Sequence, residues 1–257
     1  MYKRYLTSQL YTMAQPVLAA CGLQNEHLPR LTLLKQDSGV DGSFLIAAIL
    51  GHRLKASKDH HVLLIATHHT YHHYSSACMK VGFNLGPARD SGQLQILDVA
   101  AELFHNYPNC FPSLDDIAHR VGTFLKTHPG RTILVDDLTY FLNFDHSEAQ
   151  LIDFVEQFAA TEDRHHSLVI KLNTADLWAT LCANLDDMAQ VEIGLQRLAS
   201  GQFREVDGRL VVSRYPAEED GEQDLIKVKK VDKSVLYKVN ERNIKVFVPG
   251  EVGIKNL

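Results

Sequence analysis

The stretch Leu31–Leu54 places the tightest limit on what this chain can fold into. It begins as Leu31-Thr32-Leu33-Leu34, passes through Lys35-Gln36-Asp37-Ser38-Gly39-Val40-Asp41-Gly42-Ser43, and continues as Phe44-Leu45-Ile46-Ala47-Ala48-Ile49-Leu50-Gly51-His52-Arg53-Leu54. An apolar strand, a loop of glycine, aspartate and serine, and an apolar helix are the layout of a phosphate-binding loop. A helix apolar on nearly every side must be covered on most sides, which predicts a sheet on one flank and a neighbouring element on another. The groups that grip phosphate are missing. A working loop reads G-x-x-x-x-G-K-[ST]. Counted back from Gly42, its first glycine falls on Asp37, its lysine on Ser43 and its magnesium-binding hydroxyl on Phe44.

The helix start at Ser43 could still attract an anion. Asp37 and Asp41, however, place carboxylates where a polyphosphate would lie. Two like charges ~4 Å apart repel by about 4 kcal/mol at an effective dielectric of ~20, whereas a helix terminus attracts by only about 0.3–1 kcal/mol. Two readings follow. The loop is a scaffold in which Gly39 and Gly42 make the turn and Asp41 or Ser43 caps the helix, or it is a weak, atypical nucleotide site.

The remaining pattern alternates. Strands are expected at Leu31–Leu34, Val62–Ala66, Gln93–Leu97, Thr132–Val135 and Ser167–Leu172. Helices are expected over 43–54, near 75–82, 99–106, 113–127, 147–160 and 175–183, with Ser113 as an N-cap. Residues 86–92 read as a turn-rich loop. From residue 190 the pattern changes to strands at 190–198, 201–206, 210–215, 234–239 and 244–248, with Asp207-Gly208 as a hairpin turn. The expected fold is α/β: a doubly wound, mostly parallel central sheet flanked by helices, with antiparallel C-terminal strands. One domain over 1–257 is expected, with a lead-in at 1–30 broken by Pro16, a parallel core at 31–189, and antiparallel edge strands with a tail at 190–257.

The 257 residues suffice for a sizeable core without disulfides. A net charge of −5 gives no overall attraction to nucleic acid or acidic membranes. Cys21, Cys78, Cys110 and Cys182 form no C-x-x-C pair, so reduced thiols in an intracellular compartment are expected. Polar residues and Pro16 interrupt the run after Lys3 and Arg4, so no export signal is expected. No segment approaches a membrane span.

With this layout in place, six stretches acquire a meaning: 41–45 (Asp-Gly-Ser-Phe-Leu), 73–75 (His-Tyr-Ser), 88–94 (Ala-Arg-Asp-Ser-Gly-Gln-Leu), 134–138 (Leu-Val-Asp-Asp-Leu), 201–208 (Gly-Gln-Phe-Arg-Glu-Val-Asp-Gly) and 232–235 (Asp-Lys-Ser-Val). The strand–loop–helix and the strand ending in Asp136-Asp137 look like the two nucleotide motifs of the RecA-like ATPase fold. The ordered set resembles the family of the sixth subunit of the eukaryotic Elongator complex. The resemblance implies a non-catalytic RecA-like subunit, a pseudo-ATPase without cofactor. It also implies assembly with two related RecA-like Elongator subunits into a hetero-hexameric ring, and association with the remaining Elongator subunits, including the catalytic one. The ring would bind tRNA and support wobble-uridine modification, in the cytoplasm with the nucleus as a second location. The alternatives of other classes are an active RecA-like P-loop ATPase with an atypical loop and a histidine-dependent metal-binding protein.

Asp136 and Asp137 would orient magnesium and water in an active enzyme. Without lysine and hydroxyl opposite them, they read as a capped strand end or a contact to a neighbouring subunit. His60, His61, His68, His69, His72 and His73 are clustered. Helical spacing would put His68 with His72 and His69 with His73, and two imidazoles at that spacing can hold zinc. No H-E-x-x-H order and no third ligand stands out, so no metal is expected. The cluster reads as a surface loop facing a neighbour or RNA. Arg89 is a candidate for a subunit or anion contact, with a salt bridge to a nearby acid as the plain alternative. Lys227 and Lys229 guard an edge strand or touch RNA backbone.

Overall fold

The computed structural model describes residues 13–25, 27–106, 113–128, 130–160, 166–201, 203–214 and 230–249. A short helix α1 (Gln15–Ala20) precedes β1 (Leu31–Asp37), α2 (Ser43–Ala56), β2 (His60–Ala66), α3 (Tyr71–Lys80), α4 (Gly86–Asp90), β3 (Leu94–Asp98), α5 (Val99–Asn106) and α6 (Leu114–Thr127). Then come β4 (Gly130–Val135), α7 (Glu148–Ala159), β5 (His166–Thr174), α8 (Ala179–Met188), β6 (Val191–Gln196), β7 (Gly208–Arg214), β8 (Lys230–Val239) and β9 (Ile244–Phe247). One sheet holds all nine strands in the order β3-β2-β4-β5-β1-β6-β7-β8-β9. Strands β1 to β6 are parallel, and β7, β8 and β9 continue the sheet antiparallel. The doubly wound sheet with antiparallel C-terminal strands is therefore present.

Each parallel strand is apolar on both faces because helices cover both. On one side Leu34, Leu64, Leu134 and Val169 pack under α1, α2 and α3. On the other, Leu33, Leu63, Ile133 and Ile170 pack under α6, α7 and α8. The apolar α2 is wedged as its composition requires. It is buried from Ser43 to Leu54 except at His52, and touches α1, α3, β2 and β4. Leu45, Ile46, Ile49 and Leu50 are fully covered, each contributing about 1.5–3 kcal/mol relative to exposure. Ser113 caps α6 by accepting from Asp116 N, and Ser147 with Gln150 forms a capping box on α7.

Several local expectations are corrected. Pro16 opens α1 instead of breaking it, since a first-turn proline has no N–H to lose. Helix α3 starts at Tyr71, because the Asp98 carboxylate accepts from Tyr71 N at 3.0 Å. The loop 86–92 contains α4, with Pro87 in its first turn. Helix α8 begins at Ala179, after a short 3₁₀ turn at Asp176–Trp178. Strand β6, expected on the antiparallel edge, lies parallel to β1, because α8 returns the chain to the starting end of the sheet. No strand forms over the described part of 201–206, and Gly208 begins β7 instead of turning. A Cβ on Gly208 would lie 2.7 Å from Gln196 O and 2.9 Å from the Tyr237 hydroxyl, so close approach demands the glycine. Asp207 instead accepts from Lys238 Nζ and, at 2.8 Å, from Val239 N.

Cys21 and Cys78 are buried, and burial pushes both thiols up to about 12, leaving them protonated. His60 of β2 bonds Thr132 Oγ1 of β4 at 2.8 Å. Burial, then the neighbouring Arg53 charge, lowers its pKa to about 4. The unfolded chain titrates this imidazole near 6.5, so it takes up a proton before the folded chain does, and stability falls as pH drops from about 6.5 to 4. Urea-unfolding midpoints are expected to decline across that window, with a shallower decline in His60→Gln. Equal slopes for the two proteins would contradict the assignment.

Candidate functional site

The carboxyl ends of β1, β2, β4 and β5 converge on the loop before α2. Parallel pairing sets Val135 against Ile170, so the following residues, Asp136 and Lys171, stand side by side on the face that α2 covers. Both are fully buried, and Lys171 Nζ lies 2.9 Å from Asp136 Oδ1. Asp136 Oδ2 accepts from the backbone N–H of His69 at 2.7 Å and of His68 at 3.2 Å, and lies 3.2 Å from His69 Nδ1. Burial alone would push this carboxyl up. The His69 hydrogen bond and the Lys171 ammonium outweigh it and hold the group well below the usual carboxylate range.

Asp137 is differently placed. Its Oδ1 accepts from Thr139 N at 2.9 Å and from Thr139 Oγ1, capping the 3₁₀ turn Leu138–Asn143, while Oδ2 accepts from Asn173 Nδ2. Burial pushes its pKa up despite the Thr139 bonds. Adjacent in sequence, the two acids separate in role: one anchors a buried cation, the other ends a strand.

The loop is fastened from below. Gln36 Oε1 accepts from Gly42 N at 2.9 Å, and the Lys171 stem runs close beneath Gly42. Asp37 Oδ1 accepts from Thr174 Oγ1 at 3.1 Å, and Oδ2 from Arg197 N at 3.4 Å. Asp41 Oδ1 accepts from Ser43 N at 2.8 Å and Oδ2 from Ser43 Oγ at 2.7 Å. These bonds outweigh burial and lower the Asp41 pKa. An internal carboxylate thus occupies the start of α2, where a phosphate would bind. Phe44 points into the core edge and packs against Tyr237 of β8, with ring centroids 5.0 Å apart.

The histidines divide. His69 and His73 stack at 4.0 Å, and His73 Nε2 lies 3.0 Å from Ser43 Oγ. His68 meets His69 edge-on, but both His68 and His72 are exposed. The third group missing from the sequence pattern is Asp41. One of its oxygens and one nitrogen from each of His69 and His73 lie within 4.8 Å of one another, a third acidic group that the sequence pattern did not make stand out. Arg89 lies over the Tyr71 ring at 4.8 Å and 3.5 Å from Asp90, exposed at the end of α4. Lys227 and Lys229 lie outside the described residues. A cleft of about 530 Å³ opens beside the loop, lined by Asp41, Phe44, His73, Phe203, Tyr237 and Asn240 among others. Lys171 escaped the sequence reading, although a lysine inside the apolar run Leu168-Val169-Ile170-Lys171-Leu172 was the available signal.

Relatives place this arrangement in a family. A Drosophila melanogaster protein, Elongator complex protein 6, is 35% identical over 256 residues, covering 95% of this chain and all of that protein. The chain belongs to the Elongator complex protein 6 family. The human Elongator complex protein 6 is 26% identical over 252 residues, 86% of this chain and 91% of its own length. The family model described as Elongation complex protein 6 matches residues 19–108, which hold the loop, α2 and the histidines. Among solved structures, the flagellar accessory protein FlaH of Methanocaldococcus jannaschii superposes with a TM-score of 0.64 at 14% identity, covering 91% of this chain and 95% of that one. A KaiC-like protein of Pyrococcus horikoshii gives 0.56 at 8% identity, covering 85% and 89%. These likenesses show the fold, and this Elongator complex protein 6 family member is RecA-like. No helix among its described residues is long and apolar enough to cross a membrane.

Proposed function

We propose that this chain is a non-catalytic Elongator subunit. It assembles with two related RecA-like subunits into a hetero-hexameric ring that binds tRNA and supports wobble-uridine modification by the complex's catalytic subunit. The whole chain acts as one RecA-like domain within that ring, in the cytoplasm and the nucleus. The observation that carries the non-catalytic reading is the Lys171–Asp136 pair: the carboxylate that would orient magnesium is already neutralised from within the sheet. Asp41 occupies the start of α2, Ser43 stands at the lysine position, and Phe44 is committed to Tyr237. These residues do not fit a magnesium-bound nucleotide. Family membership supports the assembly reading. Phe104 and Leu177, 82% and 78% exposed, are apolar side chains of the kind that partner contacts cover.

Co-expression tests the proposal. Alone, the chain is expected to aggregate. With the two related subunits it is expected to yield a soluble hetero-hexamer, seen by light scattering, that retains tRNA. A stable, soluble monomer that does not associate with them would overturn the reading.

A further inference from the structure

The geometry points to a transition-metal site formed by Asp41, His69 and His73, fit for a zinc-class divalent cation and open to the cleft beside α2. It goes beyond the assembly role and does not depend on it. The three residues come from separate places: the loop after β1, the loop after β2, and the first turn of α3. They meet because both loops leave the carboxyl edge of the same parallel sheet.

Two imidazoles and a carboxylate are a donor set that zinc-class ions accept. One ligand atom from each already lies within 4.8 Å of the others. A tetrahedral ion with bonds of about 2.0–2.2 Å holds its ligands roughly 3.4 Å apart, a closure that side-chain rotation can supply. The surrounding groups have the form of an outer shell. Metal-bound histidines commonly give their second nitrogen to a carboxylate. His69 Nδ1 lies 3.2 Å from Asp136 Oδ2, which leaves Nε2 for a metal. Asp136 is in turn fixed by Lys171. Ser43 Oγ donates to Asp41 and lies 3.0 Å from His73 Nε2, so one hydroxyl links two of the ligands.

The charge balance also fits. Lys171 offsets Asp136, leaving the Asp41 carboxylate to meet the cation. Asp41 and His73 also line the cleft, so a fourth position would face open space. Such a site has the three-ligand form that leaves room for water or an exogenous donor.

Cobalt(II) is the probe, added to the full chain after chelator treatment. One equivalent is expected to produce the visible d–d absorption of a four- or five-coordinate site. His73→Gln and Asp41→Asn are each expected to weaken binding by about 10–100-fold or more, with unchanged far-ultraviolet circular dichroism. His72→Ala, and His61→Ala in the separate stacked pair His61–His128, should leave the spectrum intact. No absorption, or absorption that survives His73→Gln and Asp41→Asn but disappears with His61→Ala, would overturn the assignment. Should His69→Ala fail to fold for loss of its Asp136 contact, the other two ligand variants still decide.

Discussion

Lys171→Met is expected to destabilise the chain by about 3–5 kcal/mol, the range found when one partner of a buried ion pair is removed. Asp136 would keep its hydrogen bonds from the His68 and His69 amides and its contact with the His69 ring, but would lose the buried ammonium 2.9 Å from its Oδ1. A buried carboxylate without a counter-charge carries most of that cost. The companion experiment separates charge from packing. Lys171→Met combined with Asp136→Asn should recover much of the loss, because replacing both members of a buried pair is often neutral. Urea denaturation with an unchanged slope would report both effects. A Lys171→Met protein within about 1 kcal/mol of the parent, a difference ordinary for any substitution, would show that the ammonium is not the anchor.

Phe44→Thr restores the hydroxyl of a working phosphate-binding loop, yet it is expected to cost about 3 kcal/mol. That is the low end for truncating a buried phenylalanine, because Phe44 borders a cleft. Its ring joins α2 to Tyr237, so the loss would be felt in the antiparallel strands as well as at the loop. Adding Ser43→Lys should not create a nucleotide site. Asp136 remains tied to Lys171, and Asp41 still holds the helix start. Calorimetry with magnesium-ATP is expected to give a Kd above ~1 mM, a binding free energy weaker than about −4 kcal/mol. Micromolar binding by the double variant, or by the parent in a manner abolished by Asp136→Asn, would refute the non-catalytic reading.

These two positions differ in how they could be found. Phe44 was legible at once, because a motif of fixed spacing shows which residue stands where a hydroxyl should be. Lys171 offers the sequence only a lysine inside an apolar strand, a signal that carries no role by itself. Nothing local says which acid, if any, it meets. The same contrast holds for the histidines. Spacing suggested both His68 with His72 and His69 with His73, but α3 begins at Tyr71, and only the second pair is brought together. The C-terminal strands show a different failure. Phe203 and Val206 read as strand residues, yet they line the cleft. Their apolar character reflects tertiary burial, which periodicity over a few residues cannot distinguish from pairing in a sheet.

The sequence by itself determined the strand–loop–helix at 31–54, the alternation that makes a doubly wound sheet, and the loss of lysine and hydroxyl from the loop. Each of these depends on residues close together in the chain, where side-chain period and turn chemistry act directly. Only the tertiary structure decided that Lys171 neutralises Asp136, that Asp41 joins His69 and His73, and that β6 runs parallel to β1. Those outcomes depend on strand order and register. Register places Asp136 beside Lys171 through the pairing of Val135 with Ile170, and the parallel direction of β2, β4, β5 and β1 puts the ends of β1 and β2 on one edge. Both are settled by how two helical layers cover one sheet, a property of the whole chain and of no single stretch within it.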